Sequence, residues 1–263
     1  MYPKGTERND VLVYEIKNLF GSVASIMSSK REKIIVLDVE GYSTTRPYNV
    51  GYIVCDLYGN IYRKRSFALL PCIWENIRAM VNCKQAETMT KKNVEEILQD
   101  IEKPKHKRKY KPISPEKFTE IFTADIQNFK VKRLFAYNVN FDKGSIKRLV
   151  GDKIFIELNL TYCDIISGIT VTKLMSKSYI EFCKCHGFIT EKGNVQTKAE
   201  VVYKYLTNNL DFEEEHTGLS DVLIEYRILL TALKTHKKIN WKPCPAWKLL
   251  KTYADEKGIS LVT

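Results

Sequence analysis

Two carboxylates one residue apart, Asp38 and Glu40, follow four consecutive apolar residues, Ile34, Ile35, Val36 and Leu37. In an extended chain alternate side chains share a face, so these two carboxylates lie a few ångströms from each other. At ~4 Å and an effective dielectric of about 20 they repel by roughly 4 kcal/mol. A divalent cation between them removes that repulsion, and an all-oxygen ligand set suits magnesium or manganese better than zinc. Taken alone, the motif has a second reading: one acid ends a strand in water and the other pairs with a lysine. Asp142 follows Asn138 and Phe141 in AYNVNFDKGSI, where it is either an ordinary helix N-cap or a pocket residue. His216 precedes Asp221 in EEEHTGLSDVLIEYRILLTAL. Asp221 sits beside an apolar stripe, where an unpaired carboxylate is costly. A histidine at a helix start is often structural, but beside a buried acid, at the positive helix end, it is pushed toward work as a base.

The elements that must position these residues follow from periodicity. The unbroken run before Asp38 fits a central strand covered on both faces. Residues 49–56 and 61–69 predict two more strands, joined through Tyr58, Gly59 and Asn60, which makes an antiparallel meander. Residues 74–101 predict two helical stretches. After Ser114 and Pro115, a cap and first-turn pair, Phe118, Ile121, Phe122, Ile126 and Phe129 make one apolar helix face. Strand 133–137, helix 142–150 and a strand into Tyr162, Cys163 and Asp164 then alternate. Leu219, Val222, Leu223, Tyr226, Leu229, Leu230 and Leu233 give a last helix its buried stripe. Hairpins followed by crossovers predict an α/β fold, a mixed sheet with helices on both faces.

Three segments stand apart from that plan. Residues 1–32 predict a helical extension, with Asp10 capping a face of Leu12, Ile16, Leu19, Phe20, Val23 and Met27. Residues 236–263 predict a C-terminal tail and helix, with Trp241 and Trp247 docking it onto the 33–235 domain. Residues 103–112, KPKHKRKYKP, predict a mobile basic loop that helps to grip phosphates, with Tyr110 free for stacking.

The chain has 263 residues, 44% hydrophobic and 11% aromatic, with a formal charge of +11. That excludes a wholly disordered chain and suits a polyanionic partner. Seven cysteines without small-domain spacing point to a reducing compartment, hence a cytoplasmic location. Cys183, Cys185 and His186 lack the pairs of a zinc site and read as thiols on a helix. Charges interrupt every apolar stretch near the start, so neither a signal peptide nor a membrane span is expected.

In order and spacing the three acidic segments resemble the DEDDh exonucleases, the family of the proofreading epsilon subunit of bacterial DNA polymerase III, RNase T and oligoribonuclease. The motifs are Asp38-Val39-Glu40, Asn138 through Phe141-Asp142, and His216 with Asp221. The resemblance implies an RNase H-like fold and hydrolysis of phosphodiester bonds from the 3′ end of single-stranded DNA or RNA, DNA favoured. It implies two Mg2+ or Mn2+ ions: Asp38 bridging, Glu40 and Asp221 on the ion carrying the water, and Asp142 on the second. It makes His216 the general base and Asp164 structural. Gly41, Tyr42, Asn138 and Phe141 would meet the terminal nucleotide. The family's Thr-Gly pair after the first motif is replaced by Gly41-Tyr42-Ser43, which bears on the sugar pocket. Two other readings are a short-RNA exoribonuclease and a nucleic-acid-binding adaptor, the latter requiring loss of a carboxylate or of the histidine.

Overall fold

A computed structural model describes residues 31–41, 43–45, 47–70, 72–74, 88–235 and 241–242. The expected helix before residue 31, and the expected tail beyond Lys242, lie outside these residues, as does most of the first helical stretch after Trp74. Lys33–Thr263 forms one compact unit.

Strands β1 (Ile34–Gly41), β2 (Pro47–Cys55) and β3 (Ile61–Leu69) form the antiparallel meander. The turn between β2 and β3 closes on Asp56, whose Oδ1 accepts the N–H groups of Tyr58 and Asn60 at 2.9 and 3.1 Å. Next come α1 (Thr88–Glu102), a 3-10 turn at Lys105–Lys107, β4 (Lys111–Ile113) and α2 (Pro115–Phe129). Ser114 caps α2, its Oγ accepting the Lys117 N–H at 3.2 Å. The crossovers then run β5 (Arg133–Ala136), α3 (Asn140–Val150), α4 (Asp152–Leu158) and β6 (Thr161–Asp164). Helix α5 (Ile165–Ile169) continues into a π turn at Thr170–Leu174, followed by α6 (Lys177–Cys185), α7 (Ala199–Thr207) and α8 (Gly218–Thr235).

The six strands lie in the order β4-β3-β2-β1-β5-β6, with β1, β5 and β6 parallel. This is the expected mixed sheet, an antiparallel meander followed by parallel crossovers, lengthened at its outer edge by β4. Residues 103–112 therefore depart from the expected mobile loop. Asp100 is the reason: its Oδ2 accepts the N–H groups of Lys109 and Tyr110 at 2.7 and 2.9 Å, and Lys103 Nζ lies 3.1 Å from its Oδ1. So tied, the segment delivers Lys111–Ile113 to β3 in parallel register. Tyr110 is 5% exposed and packs with Val94, Ile97 and Tyr48, so it is not free to stack on a base.

Two apolar cores cover the sheet. On β1, Ile34 and Val36 face one core, which includes Val222, Ile228 and Leu229 of α8. Ile35, Leu37 and Val39 face the other, with Phe118 and Phe122 of α2 and Ile146 of α3. Period two therefore carries Asp38 and Glu40 onto the α8 side. Trp241 lies edge-on to Phe135, and its carbonyl accepts the Asp164 N–H at 2.8 Å. Cys183 is buried and Cys185 exposed on α6, both free thiols. Among the described residues, no helix is long and apolar enough to cross a membrane.

Candidate active site

The site begins with a close approach of two backbones. In the β1–β2 ladder Gly51 stands opposite Asp38. A Cβ on Gly51 would fall 2.0 Å from the Gly218 carbonyl carbon, and one on Gly218 would fall 2.6 Å from the Gly51 nitrogen and 3.1 Å from the Asp38 carbonyl oxygen. Only glycine at both positions lets the first turn of α8 rest on the sheet at this depth. One turn further on, Asp221 meets the end of β1. One ligand oxygen from each of Asp38, Glu40 and Asp221 lies within 4.8 Å of the others. Asp38 Oδ2 and Asp221 Oδ1 are buried with no hydrogen-bond partner. Such orphaned acceptors are costly in a protein interior unless a cation satisfies them. The all-oxygen donor set and the orphaned atoms fit a hard divalent ion.

Electrostatics carry the same signature. Burial raises the Asp38 carboxyl well above its usual range, and the nearby charges of Glu40, Glu225, Asp142 and Asp221 raise it further. Burial and the Glu214 charge push Glu40 up to about 7. Asp221 is pushed to about 9 by burial, by Glu214 and by Glu40, with which it shares a hydrogen bond. A proton shared by Glu40 and Asp221 would ease the repulsion that a cation would otherwise relieve.

Asp142 is held apart from this trio. It is 3% exposed in the first turn of α3, and its Oδ1 accepts the Val39 N–H at 2.9 Å. That bond pins it to the strand carrying Asp38 and Glu40. Burial pushes it to about 8 against the pull of its backbone hydrogen bonds. Asp164 secures the turn before it, accepting the Val139 N–H at 3.2 Å and the Ser167 hydroxyl at 2.6 Å. Between them Asn138 takes φ +60° and is exposed, while Phe141 is half-buried against the α2–α3 core. Gly41 ends β1 at a register shift that follows Glu40. Tyr42 lies outside the described residues.

His216 stands just before α8, with its side chain 34% exposed and Nδ1 3.7 Å from Glu214 Oε2. Its backbone is left-handed at φ +51°. Asn93 Nδ2 donates to its carbonyl at 3.0 Å, and Asn49 Oδ1 accepts the Gly218 N–H at 2.8 Å. Beside it opens a cavity of about 570 Å3, lined by His216, Thr217, Asn93 and Tyr110, where Lys92, Lys103 and Lys109 stand among the carboxylates of Glu96, Asp100, Glu213, Glu214 and Glu215.

Two acids enter this centre that motif spacing does not reveal. Glu225, 4% exposed, follows Asp221 by one helical turn and accepts the Tyr137 N–H at 3.3 Å. Its carboxyl is raised well above the usual range by burial and by Asp142, Asp221 and Glu214. The signal available in sequence is an acid at i+4 from Asp221, flanked by Ile224 and Tyr226 in an apolar stripe. Glu214, pushed to about 7 by burial, comes from the run Glu213-Glu214-Glu215, where nothing distinguishes one glutamate from the next.

No family model matches the chain, and no curated protein matches it. Among solved structures it is similar to S. pombe Pop2p in its Mg2+- and Mn2+-bound form, at 13% identity and a TM-score of 0.45, covering 84% of this chain and 91% of that one. It is also similar to the RNase domain of the yeast Pop2 protein, at 13% identity and a TM-score of 0.43, covering 85% of this chain and 86% of that one.

Proposed function

We propose that this chain is a metal-dependent 3′–5′ exonuclease acting on single-stranded nucleic acid, with DNA ahead of RNA. The observation that carries the reading is the trio Asp38, Glu40 and Asp221, within 4.8 Å of one another and with buried oxygens left unpartnered. Asp38, Glu40 and Asp221 would hold one divalent ion, and Asp38 with Asp142 a second. Bound there, the ions supply a nucleophilic water and neutralise charge on the scissile phosphate.

The chain's own residues supply the rest. His216 in its neutral form takes a proton from the attacking water at one imidazole nitrogen. Glu214 stands 3.7 Å from its Nδ1. Asn138, exposed on its left-handed turn, and Gly41, at the end of β1, would meet the terminal nucleotide. Phe141 supports that turn from the core side.

The test is an assay with 3′- and 5′-labelled DNA and RNA strands of equal length in magnesium or manganese, beside EDTA and Asp38→Ala. The expected result is stepwise shortening from the 3′ end, absent in both controls, with the faster polymer setting the sugar preference. Strands that bind but are never shortened would overturn the reading in favour of an adaptor domain.

A further inference from the structure

The left-handed backbone at His216, φ +51°, is uncommon for a residue with a side chain, and here its neighbours hold it. Two buried asparagines from different elements do so. Asn49 on β2 is fully buried; its Nδ2 donates to the Phe67 carbonyl at 2.6 Å and its Oδ1 accepts the Gly218 N–H at 2.8 Å. Asn93 on α1 is 8% exposed, and its Nδ2 donates to the His216 carbonyl at 3.0 Å. The peptide groups on either side of Thr217 are thus gripped from the sheet and from α1.

Asn49 has a plain structural duty, since it fastens the start of α8 to the sheet. Asn93 does not. Helix α1 is already docked by Val94 and Ile97 against Tyr48 and Ala68, and an apolar residue at 93 would extend that face without the desolvation cost of an amide. Its amide instead bonds the Tyr48 hydroxyl and the His216 carbonyl. We infer that Asn93 is a positioning residue for His216: by holding the His216 carbonyl it fixes the left-handed turn from which the imidazole is presented beside Glu214, and it acts on the reaction through that histidine. Proton transfer depends steeply on donor–acceptor geometry, and a misplacement of about 1 Å costs up to about a hundredfold in rate.

The inference rests on the proposed role of His216, and a double-mutant cycle separates the two. Asn93→Asp keeps the shape and replaces the donor with an acceptor facing the carbonyl. In the wild-type background kcat is expected to fall by about 10- to 100-fold with KM little changed. In the His216→Ala background the same substitution is expected to change the rate by less than about twofold, because the group it positions is gone. Equal losses in the two backgrounds would overturn the inference, since Asn93 would then support the fold alone. Asn93→Leu, which keeps the volume and removes the polarity, runs through the same cycle if the aspartate variant does not fold. A His216→Ala enzyme as fast as wild type would overturn the reading of His216 itself.

Discussion

At Asp38, Glu40 and Asp221 each ionised carboxylate raises the cost of the next, so without a cation the centre works against folding. Asp221→Asn is therefore expected to abolish metal-dependent hydrolysis and yet stabilise the metal-free chain. Relief of roughly 1 kcal/mol corresponds to a rise of about 2–4 °C in Tm for a chain of this size, read by thermal unfolding in EDTA. The pH dependence has a definite sign. Glu40, Asp142 and Asp221 stand near 7, 8 and 9, above the ordinary carboxylate range near 4, so the folded chain holds protons that the unfolded chain has lost. Their stabilising contribution is complete below about pH 4 and is lost as pH rises toward about 9. Metal-free Tm should fall across that window, and saturating magnesium should raise it more at pH 8 than at pH 5. A metal effect independent of pH would count against binding at these groups.

Among the elements, the seat of α8 on β2 decides whether the site exists. Gly51→Ala places a methyl group 2.0 Å from the Gly218 carbonyl carbon, against backbone that has no side chain to move aside. The helix must lift, carrying Asp221 away from Asp38. The expected outcome is a loss of at least about 3 kcal/mol, seen in denaturant unfolding, together with loss of activity. Asp100 has a comparable duty at the sheet edge, where it gathers Lys103, Lys109 and Tyr110. Asp100→Ala leaves two buried or half-buried N–H groups without their acceptor, at a cost of about 1–3 kcal/mol. Limited proteolysis should then cut within residues 103–110 faster than in the wild-type chain.

Over the whole molecule, a formal charge of +11 coexists with a strongly acidic centre. The basic charge sits elsewhere, and part of it lies on the exposed Lys105, Lys107 and Lys109 between α1 and β4. On the proposed function a polyanion would be drawn to that surface by counterion release, and the carboxylates would admit its backbone only with cations in place. Replacing these three lysines with alanine should reduce the slope of log affinity for single-stranded DNA against log salt by about 2, at about 0.7 per phosphate contact. An unchanged slope, measured by fluorescence anisotropy, would place the strand on another face.

The order of elements and the alternation of β1 are legible in the chain because both are local: period two sends Asp38 and Glu40 to one face whatever lies opposite. So are the apolar stripe of α8 and the Ser114 cap, which depend on neighbours a turn away. Residues 103–112 show where local reading ends. Their composition says loop, yet Asp100 and the free edge of β3 supply partners that composition does not contain. The same holds at the centre. Glu214 and Glu225 join it, and Asn49 and Asn93 grip the peptide groups beside Thr217, through contacts spanning up to 169 positions in the chain. These contacts emerge with the folded chain, because burial and hydrogen-bond partnership depend on where the chain returns. The Gly51–Gly218 contact sets how closely it does so.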